Sequence, residues 1–592
     1  MNINERVKKL RELMKLNGIT AYIIPTSDPH QSEYVAEYYK GRSWISGFTG
    51  SAGIVVVTQT HANLWADGRY FIQAENQLKG SEYNLFKMGN PGVPTYTQWL
   101  KDNLKAGETI GYDGKVFSQT MAEKLEKEFK DSNIDFNDKY DLVGEIWEDR
   151  PSLSKKEAFL HEIKYTGLSS SEKIQKVREN MKASGVDYTL IGSLDDIAWL
   201  YNIRGRDVQG NPVIISYALI SKDKAYLFVD KDKINNEVES FLKENAIEIL
   251  AYEDVIDYVN NIENNATVTL EKDKINRWLF NAIPKSCNII DKINYTTILK
   301  GQKNDTEINN QRNAYIKDGV ALTKFLYWLD QNIGKTEITE LSAADRLLEF
   351  RKEQDLFIEP SFSTISAYGA NAAMAHYSAS EDSFAVLEPK GFYLVDSGGQ
   401  YLDGTTDITR TIAVGPLSDE EKKDFTLALK GHINLIDTKF LEGTTGYQVD
   451  ILCRAPLWRE GIDFKHGTGH GVGYLLNVHE GPHRIASAPN DVALEKGMVV
   501  SIEPGVYKAG KHGIRIENIV VVDKDMETEF GQFMKFEVLS FVPIDLDAIE
   551  VELLSGYEKE WLNNYHDDVY DKLTSYLNEE EKTWLKDKTR SI

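Results

Sequence analysis

Residues 6–24 read RVKKLRELMKLNGITAYII, and residues 173–191 read KIQKVRENMKASGVDYTLI. Arg11, Met14 and Gly18 of the first stretch stand where Arg178, Met181 and Gly185 stand in the second. Both copies carry apolar residues at helical spacing, then a glycine that can take the positive φ of a helix C-terminus, then an apolar strand. The echo continues outward: WISGFTG (44–50) is matched by WLYNIRG (199–205), and each is followed by strand-like runs, GIVVVT from Gly53 and ALISKDKAYLFV from Ala218. The pattern predicts two related α/β units in succession, 1–155 and 156–304. Beyond the polar stretch Lys300–Asn304, Asp305 or Thr306 reads as the N-cap of a helix through NQRNAYIKDGVALTKFLYWL (310–329). A third domain, 305–592, starts there. Its strand-like runs GFYLVD, TRTIAVG, GMVVSIEPG and GIRIENIVVVD alternate with helical patterns, which predicts an antiparallel or mixed sheet covered by helices.

A chain of 592 residues exceeds what one hydrophobic core supports, which agrees with this division. The apolar fraction of 41%, with 10 Trp, 30 Tyr and 23 Phe, supplies packed cores and argues against extended disorder. A formal charge of -24 opposes binding to nucleic acid or anionic membrane surfaces. Cys287 and Cys453 are too few for a disulfide framework and fit a reducing compartment. The opening MNINERVKKLRELMK is charged and amphipathic without a signal-peptide core, and no apolar run reaches membrane-spanning length; a cytoplasmic protein is expected.

The chemistry-bearing residues concentrate between Ala375 and Asn518. In LVDSGGQYLDGTTDITRT (394–411), Asp396 ends one apolar strand and Asp407 opens the next, so a glycine-rich hairpin can turn both carboxylates toward one point. Alone, this pattern favours an Asx-type turn in which the aspartates satisfy loop N–H groups. HGTGHGVGYLLNVHEGP (466–482) places His466, His470 and His479 within 14 residues of a chain that has only 11 histidines. Its glycines allow close backbone approach, but the stretch has neither the Gly-Lys-Ser/Thr ending of a phosphate loop nor dinucleotide-binding spacing. Glu503 follows the apolar MVVSI, and Glu517 is placed inside the strand GIRIENIVVV, with Arg515 on the same face. An Arg515–Glu517 ion pair is expected there, orienting Glu517 from behind.

Asp396, Asp407, Glu503 and Glu517 on one site would repel one another unless cations neutralise them, and two divalent ions supply the matching charge. One histidine among oxygen ligands, with no thiolate, favours Mn2+, with Co2+ or Zn2+ also suited. Two such ions roughly 3.5–4 Å apart share a bridging hydroxide, a ready nucleophile for hydrolysis.

The ordered set Asp396, Asp407, His470, Glu503 and Glu517 resembles the ligand signature of the pita-bread metallopeptidases, which include methionine aminopeptidase, prolidase and aminopeptidase P. The flanking DGTTDITRT, HGTGHGVG, NVHEGP and SIEPG, together with SGFTGSAG and ADGRYF near the N-terminus, resemble the cytosolic three-domain aminopeptidase P branch, as does the tail from about Phe536. The resemblance covers the whole chain. It implies two creatinase-like α/β domains before a pita-bread catalytic domain with a C-terminal extension. It also implies a homodimer through the C-terminal domain and release of the N-terminal residue from peptides with proline second. Under it, Asp396 and Asp407 hold one ion, Asp407 and Glu517 bridge, and His470 and Glu503 complete the other, with Glu503 also the general base. His376 (in AMAHYSA) and His479 would bind substrate and stabilise charge on the scissile carbonyl. His466 would line the proline pocket, and Arg69 is a candidate peptide contact. A prolidase-type dipeptidase shares this metal site, a methionine-type aminopeptidase is a single catalytic domain, and the non-catalytic binding relatives lack the five-residue set.

Overall fold

The computed structural model describes all residues, 1–592, in two compact units: Met1–His161 with Leu168–Thr296, and Glu162–Gly167 with Thr297–Ile592.

The repeat is a repeat of topology. The helices Ile3–Leu16 and Ser170–Ala183 each start in a capping box, Asn2 with Glu5 and Ser169 with Glu172, and each ends ahead of a glycine of positive φ, 66° at Gly18 and 65° at Gly185. Each is followed by the central strand of a six-stranded mixed sheet, Ala21–Pro25 in the first and Tyr188–Ile191 in the second. Both central strands pair antiparallel on one side (with Ile54–Thr58 and Ser216–Ser221) and parallel on the other (with Thr109–Tyr112 and Thr267–Leu270). The matched residues do matched work. Arg11 donates its Nε to Thr58 O at 2.8 Å and Arg178 to Ser221 O at 3.1 Å, tying each helix to the end of a strand, while Met14 and Met181 are buried beneath. Both cysteines are free, and no helix is long and apolar enough to cross a membrane.

The first long element of the second unit is the 28-residue helix Asp305–Asn332. Its N-cap is Asn304, whose side chain accepts from the Thr306 and Glu307 amides, so the helix begins earlier than the Asp305 or Thr306 cap expected from sequence. Asn304, Asp305 and Thr306 are all capping residue types, and only the extended backbone of Asn304 decides among them. Two antiparallel sheets follow. Ile365–Tyr368, Phe392–Ser397 and Ile408–Ala413 form a three-stranded sheet. A six-stranded sheet has the order Phe440–Leu441, Gly531–Val538, Asn518–Thr528, Val499–Ile502, Gly469–Gly471, Glu480–Ile485. The helix Asp419–Ile436 packs Phe425, Leu429 and Ile433 into the core shared with Val500, Val520 and Ile514. The C-terminal helices Gly556–Leu573 and Glu579–Lys588 bury Leu562, Val569, Leu573 and Leu585 in the same core, so this extension is an integral part of the unit.

Candidate metal centre

Each candidate ligand sits where a strand ends or breaks, so that its side chain leaves the sheet while its backbone stays fixed. Asp396 is the penultimate residue of Phe392–Ser397, and Asp407 immediately precedes Ile408–Ala413; the two strands pair with Asp396 opposite Thr409. His470 is the middle of Gly469–Gly471, and Glu503 follows Val499–Ile502. A side chain at Gly469 or Gly471 would collide with backbone of the neighbouring strands: its Cβ would lie 1.9 Å from Ser501 O or 2.3 Å from Glu480 O. The glycines around His470 therefore serve close strand packing.

Glu517 departs from expectation. It lies outside any strand, between His512–Arg515 of a two-stranded ribbon and Asn518–Thr528 of the six-stranded sheet. Alternation does not carry across that break, and the expected Arg515–Glu517 pair is absent. Arg515 instead donates Nη2 to Asp396 Oδ2 at 2.5 Å, Nη1 to Tyr507 OH at 2.7 Å and Nε to Thr409 Oγ1 at 3.2 Å. Glu517 Oε2 takes the Thr409 hydroxyl at 2.7 Å.

Ligand atoms of Asp407, His470 and Glu517 all lie within 4.8 Å of one another. His470 Nε2 stands 3.4 Å from Asp407 Oδ2 and 3.6 Å from Glu503 Oε1. Its Nδ1 faces Gly471 O at 2.9 Å, which fixes the proton on Nδ1 and turns the Nε2 lone pair into the cluster. Burial, with the charge of Asp396 next, holds the Asp407 carboxyl well above its ordinary range. Burial with the neighbouring Asp407 does the same for Glu517, and burial pushes Glu503 up to about 7. Asp396 Oδ1, Asp407 Oδ1 and Glu517 Oε1 are buried without any hydrogen-bond donor. Each such oxygen is worth ~1–3 kcal/mol of lost solvation. Fully ionised, the four carboxylates would outnumber the one guanidinium by three negative charges. Orphaned oxygens, an oriented imidazole and the absence of thiolates fit hard or borderline divalent ions.

The other predicted histidines surround this cluster. The rings of His470 and His479 meet edge-on with centroids 4.3 Å apart. His466 Nδ1 faces Gly467 O at 2.7 Å, so its Nε2 accepts from Tyr507 OH at 2.9 Å; it packs against Phe464, and burial holds it near pKa 3, neutral. His376 lies close enough for its charge to act on His466, and Arg515 Nη1 reaches the adjacent Ala375 O at 3.4 Å. Tyr507, which joins His466 to Arg515, and Thr409 were not singled out from sequence. Alternation along GVYK from Gly505 could have flagged Tyr507, whereas nothing local marks Thr409. Arg69 belongs to the other unit, where its fork grips Asp67 with Nε–Oδ1 and Nη2–Oδ2 both 2.8 Å.

Family comparisons agree with this layout. Residues 6–143 and 149–307 each match the creatinase/prolidase N-terminal domain, 309–524 match metallopeptidase family M24, and 532–592 match the C-terminal region of peptidase M24. Aminopeptidase P2 of Arabidopsis thaliana is 40% identical, over 100% of this chain and 89% of the relative. The structure of an X-prolyl aminopeptidase from Caenorhabditis elegans, described as a cytosolic enzyme with a di-nuclear active site, superimposes with a TM-score of 0.95 at 35% identity over 100% of both chains. An Xaa-Pro dipeptidase from Bacillus anthracis reaches a TM-score of 0.52 at 27% identity and covers 64% of this chain and 99% of its own. Fold and site thus define a pita-bread metallopeptidase preceded by two creatinase-like domains. Within that class, the chain belongs to the aminopeptidase P family of Xaa-Pro aminopeptidases.

Proposed function

We propose that this protein is a metal-dependent aminopeptidase that releases the N-terminal residue of peptides with proline in the second position. The observation that carries this reading is the full-length match to aminopeptidase P, the C-terminal region included, whereas the dipeptidase-type relative spans only 64% of the chain. Asp396, Asp407, His470, Glu503 and Glu517 would hold two divalent ions, Mn2+ by preference, with Co2+ or Zn2+ also suited to the donors. Bound there, the ions supply Lewis acidity at the scissile carbonyl and an activated water.

The chain's own residues do the rest. Glu503 would accept the proton of the attacking water and return one to the proline nitrogen as the C–N bond breaks. His376 and His479 stabilise the charge gathering on the carbonyl oxygen. Neutral His466, held by Tyr507 beside Phe464, offers an uncharged wall to the proline ring. Arg515 holds Asp396 in place, and Arg69 remains a candidate peptide contact.

We retain the three-domain division 1–155, 156–304 and 305–592, a cytoplasmic location, and a homodimer formed through the C-terminal domain. Tyr447, Ile451 and Trp458, exposed at helical spacing on one face of the helix Gly446–Arg459, support such an interface. Purified protein loaded with Mn2+ should cleave Arg-Pro-Pro and longer Xaa-Pro peptides. Cleavage of Gly-Pro alone would assign it to the dipeptidases instead.

A further inference from the structure

Because Glu517 lies outside the sheet ladders, its backbone needs other partners, and one strand supplies them. Its N–H donates to Thr409 O at 3.2 Å, and its carbonyl accepts from Arg410 Nη1 at 2.5 Å. With the Thr409 hydroxyl on its carboxylate, Glu517 is fixed by two consecutive residues of Ile408–Ala413.

Arg410 is itself unusual. It is 2% exposed, yet every acceptor it meets is neutral: Pro543 O at 3.2 Å, Thr409 O at 2.9 Å, Val542 O, Asn518 Oδ1 and Tyr565 OH at 2.8 Å, and the Glu517 carbonyl. It forms no ion pair with any carboxylate. A guanidinium buried in this way bears a large desolvation penalty, which lowers its pKa. The carboxylate whose field reaches it is that of Glu517. Its charge therefore acts on the carboxylate cluster to which Glu517 belongs. Tyr565, on the C-terminal helix Gly556–Leu573, completes the arrangement. Its hydroxyl accepts from Arg410 and from the Val542 amide at 3.2 Å, donates to Val542 O at 2.9 Å, and its ring stacks on Trp561 at 5.4 Å.

We infer that Arg410 and Tyr565 are a positioning pair that sets Glu517 for metal binding, so that the C-terminal segment 532–592 is a working part of the metal centre. Three observations point this way: a ligand candidate held only by the Arg410 strand, a buried cation without its own counter-ion, and a tyrosine of the C-terminal helix that fixes that cation. The inference rests on the two-metal reading above.

The test is calorimetric titration of the metal-free, full-length protein with Mn2+, beside thermal unfolding of the same samples. Tyr565→Phe keeps the stacked ring and removes only the hydroxyl; Arg410→Lys keeps the charge and loses the fork. Leu562→Ala, a core change on the same helix, is the control for destabilisation alone. At least one of two Mn2+ binding events should weaken about 10-fold or more in Tyr565→Phe, and Leu562→Ala should lower the Tm with both affinities unchanged. Wild-type affinities in Tyr565→Phe, or equal weakening in Leu562→Ala, overturn the positioning role while leaving the two-metal reading intact. A wild-type chain that binds no Mn2+ overturns both. Should Arg410→Lys fail to fold, Tyr565→Phe decides alone.

Discussion

Arg515 grips Asp396 and not Glu517: its Nη2 lies 2.5 Å from Asp396 Oδ2. The same guanidinium holds Tyr507, and Tyr507 holds His466, so one cation connects a candidate metal ligand to the candidate proline pocket. Arg515→Met should therefore weaken metal binding and proline recognition together. An orienting partner of a metal ligand is commonly worth ~10- to 100-fold in affinity, and a loss in that range is expected here, with a raised KM for Xaa-Pro substrates. Arg515→Lys keeps the charge but cannot serve Asp396, Tyr507 and Thr409 at once, so it should recover only part of the loss. Metal titration and steady-state kinetics on both variants check this. Full recovery by lysine would show that charge alone matters.

Metal-free stability should fall as pH rises. Asp407, Glu503 and Glu517 have folded-state pKa values raised by burial and mutual repulsion, to about 7 for Glu503. Unfolded, these groups titrate near ~4. Between about pH 4 and about pH 7 the folded, metal-free chain thus binds more protons than the unfolded chain, and unfolding free energy declines with pH across that window. Divalent ions displace those protons. The gain in Tm on adding Mn2+ should accordingly grow from about pH 5 to about pH 7.5, with proton release visible in calorimetry across buffers of different ionisation heat. A metal-free Tm that climbs through the same window would contradict this sign.

What the sequence conveyed and what it hid divide along a physical line. The repeat was legible because Arg11 and Arg178, Met14 and Met181, and Gly18 and Gly185 do the same local jobs in both copies. The ligand candidates, His466 and His479 stood out because each borders an apolar strand-like run or sits among glycines, and the structure brings Asp407, His470, Glu503 and Glu517 together; His376 was marked by the family resemblance alone. The partner of Arg515 was hidden, since it depends on where a strand stops. Two residues outside the ladder at Ile516 and Glu517 move the chain from one sheet to another, and no local pattern marks that break. Tyr565 lies some fifty residues from the carbonyl it helps to hold, beyond the reach of any periodicity argument.

The segment bearing His376 hangs on one buried carboxylate. Glu340 is fully buried and accepts from Tyr368 N at 2.6 Å, Ala385 N at 2.7 Å, Tyr377 OH at 2.8 Å and Asn371 Nδ2 at 3.0 Å, donors spread over both sides of His376. Glu340→Gln replaces one acceptor oxygen with a donor and sets it against these groups. An unmatched buried donor costs ~1–3 kcal/mol, so a lower Tm is expected together with roughly a 10-fold fall in kcat/KM, of the order of one lost charge-assisted contact. Mn2+ affinity should stay unchanged, because none of the five candidate ligands touches Glu340. Retention of full kcat/KM would separate this carboxylate from the positioning of His376.

Glu480, next in sequence to His479 and paired opposite Gly471 beside His470, is buried between two lysines. Lys300 Nζ lies 2.7 Å from Oε2, and Lys303 Nζ bonds to Oε1; the three side chains are at most 5% exposed. Burial drives the Lys303 pKa down even against this carboxylate. Removing one partner of a buried pair typically costs about 3–5 kcal/mol, because the remaining charge is stranded, whereas replacing all members with apolar groups is often nearly neutral. Glu480→Gln should therefore lower the Tm by several degrees, since two buried ammonium groups lose the carboxylate that both of them bond. The triple change Lys300→Met, Lys303→Met and Glu480→Leu should recover much of that stability. Thermal unfolding of parent, single and triple variants settles the point: a Glu480→Gln protein as stable as its parent would mean that the lysines shed their charge in the folded state and that the triad contributes packing alone.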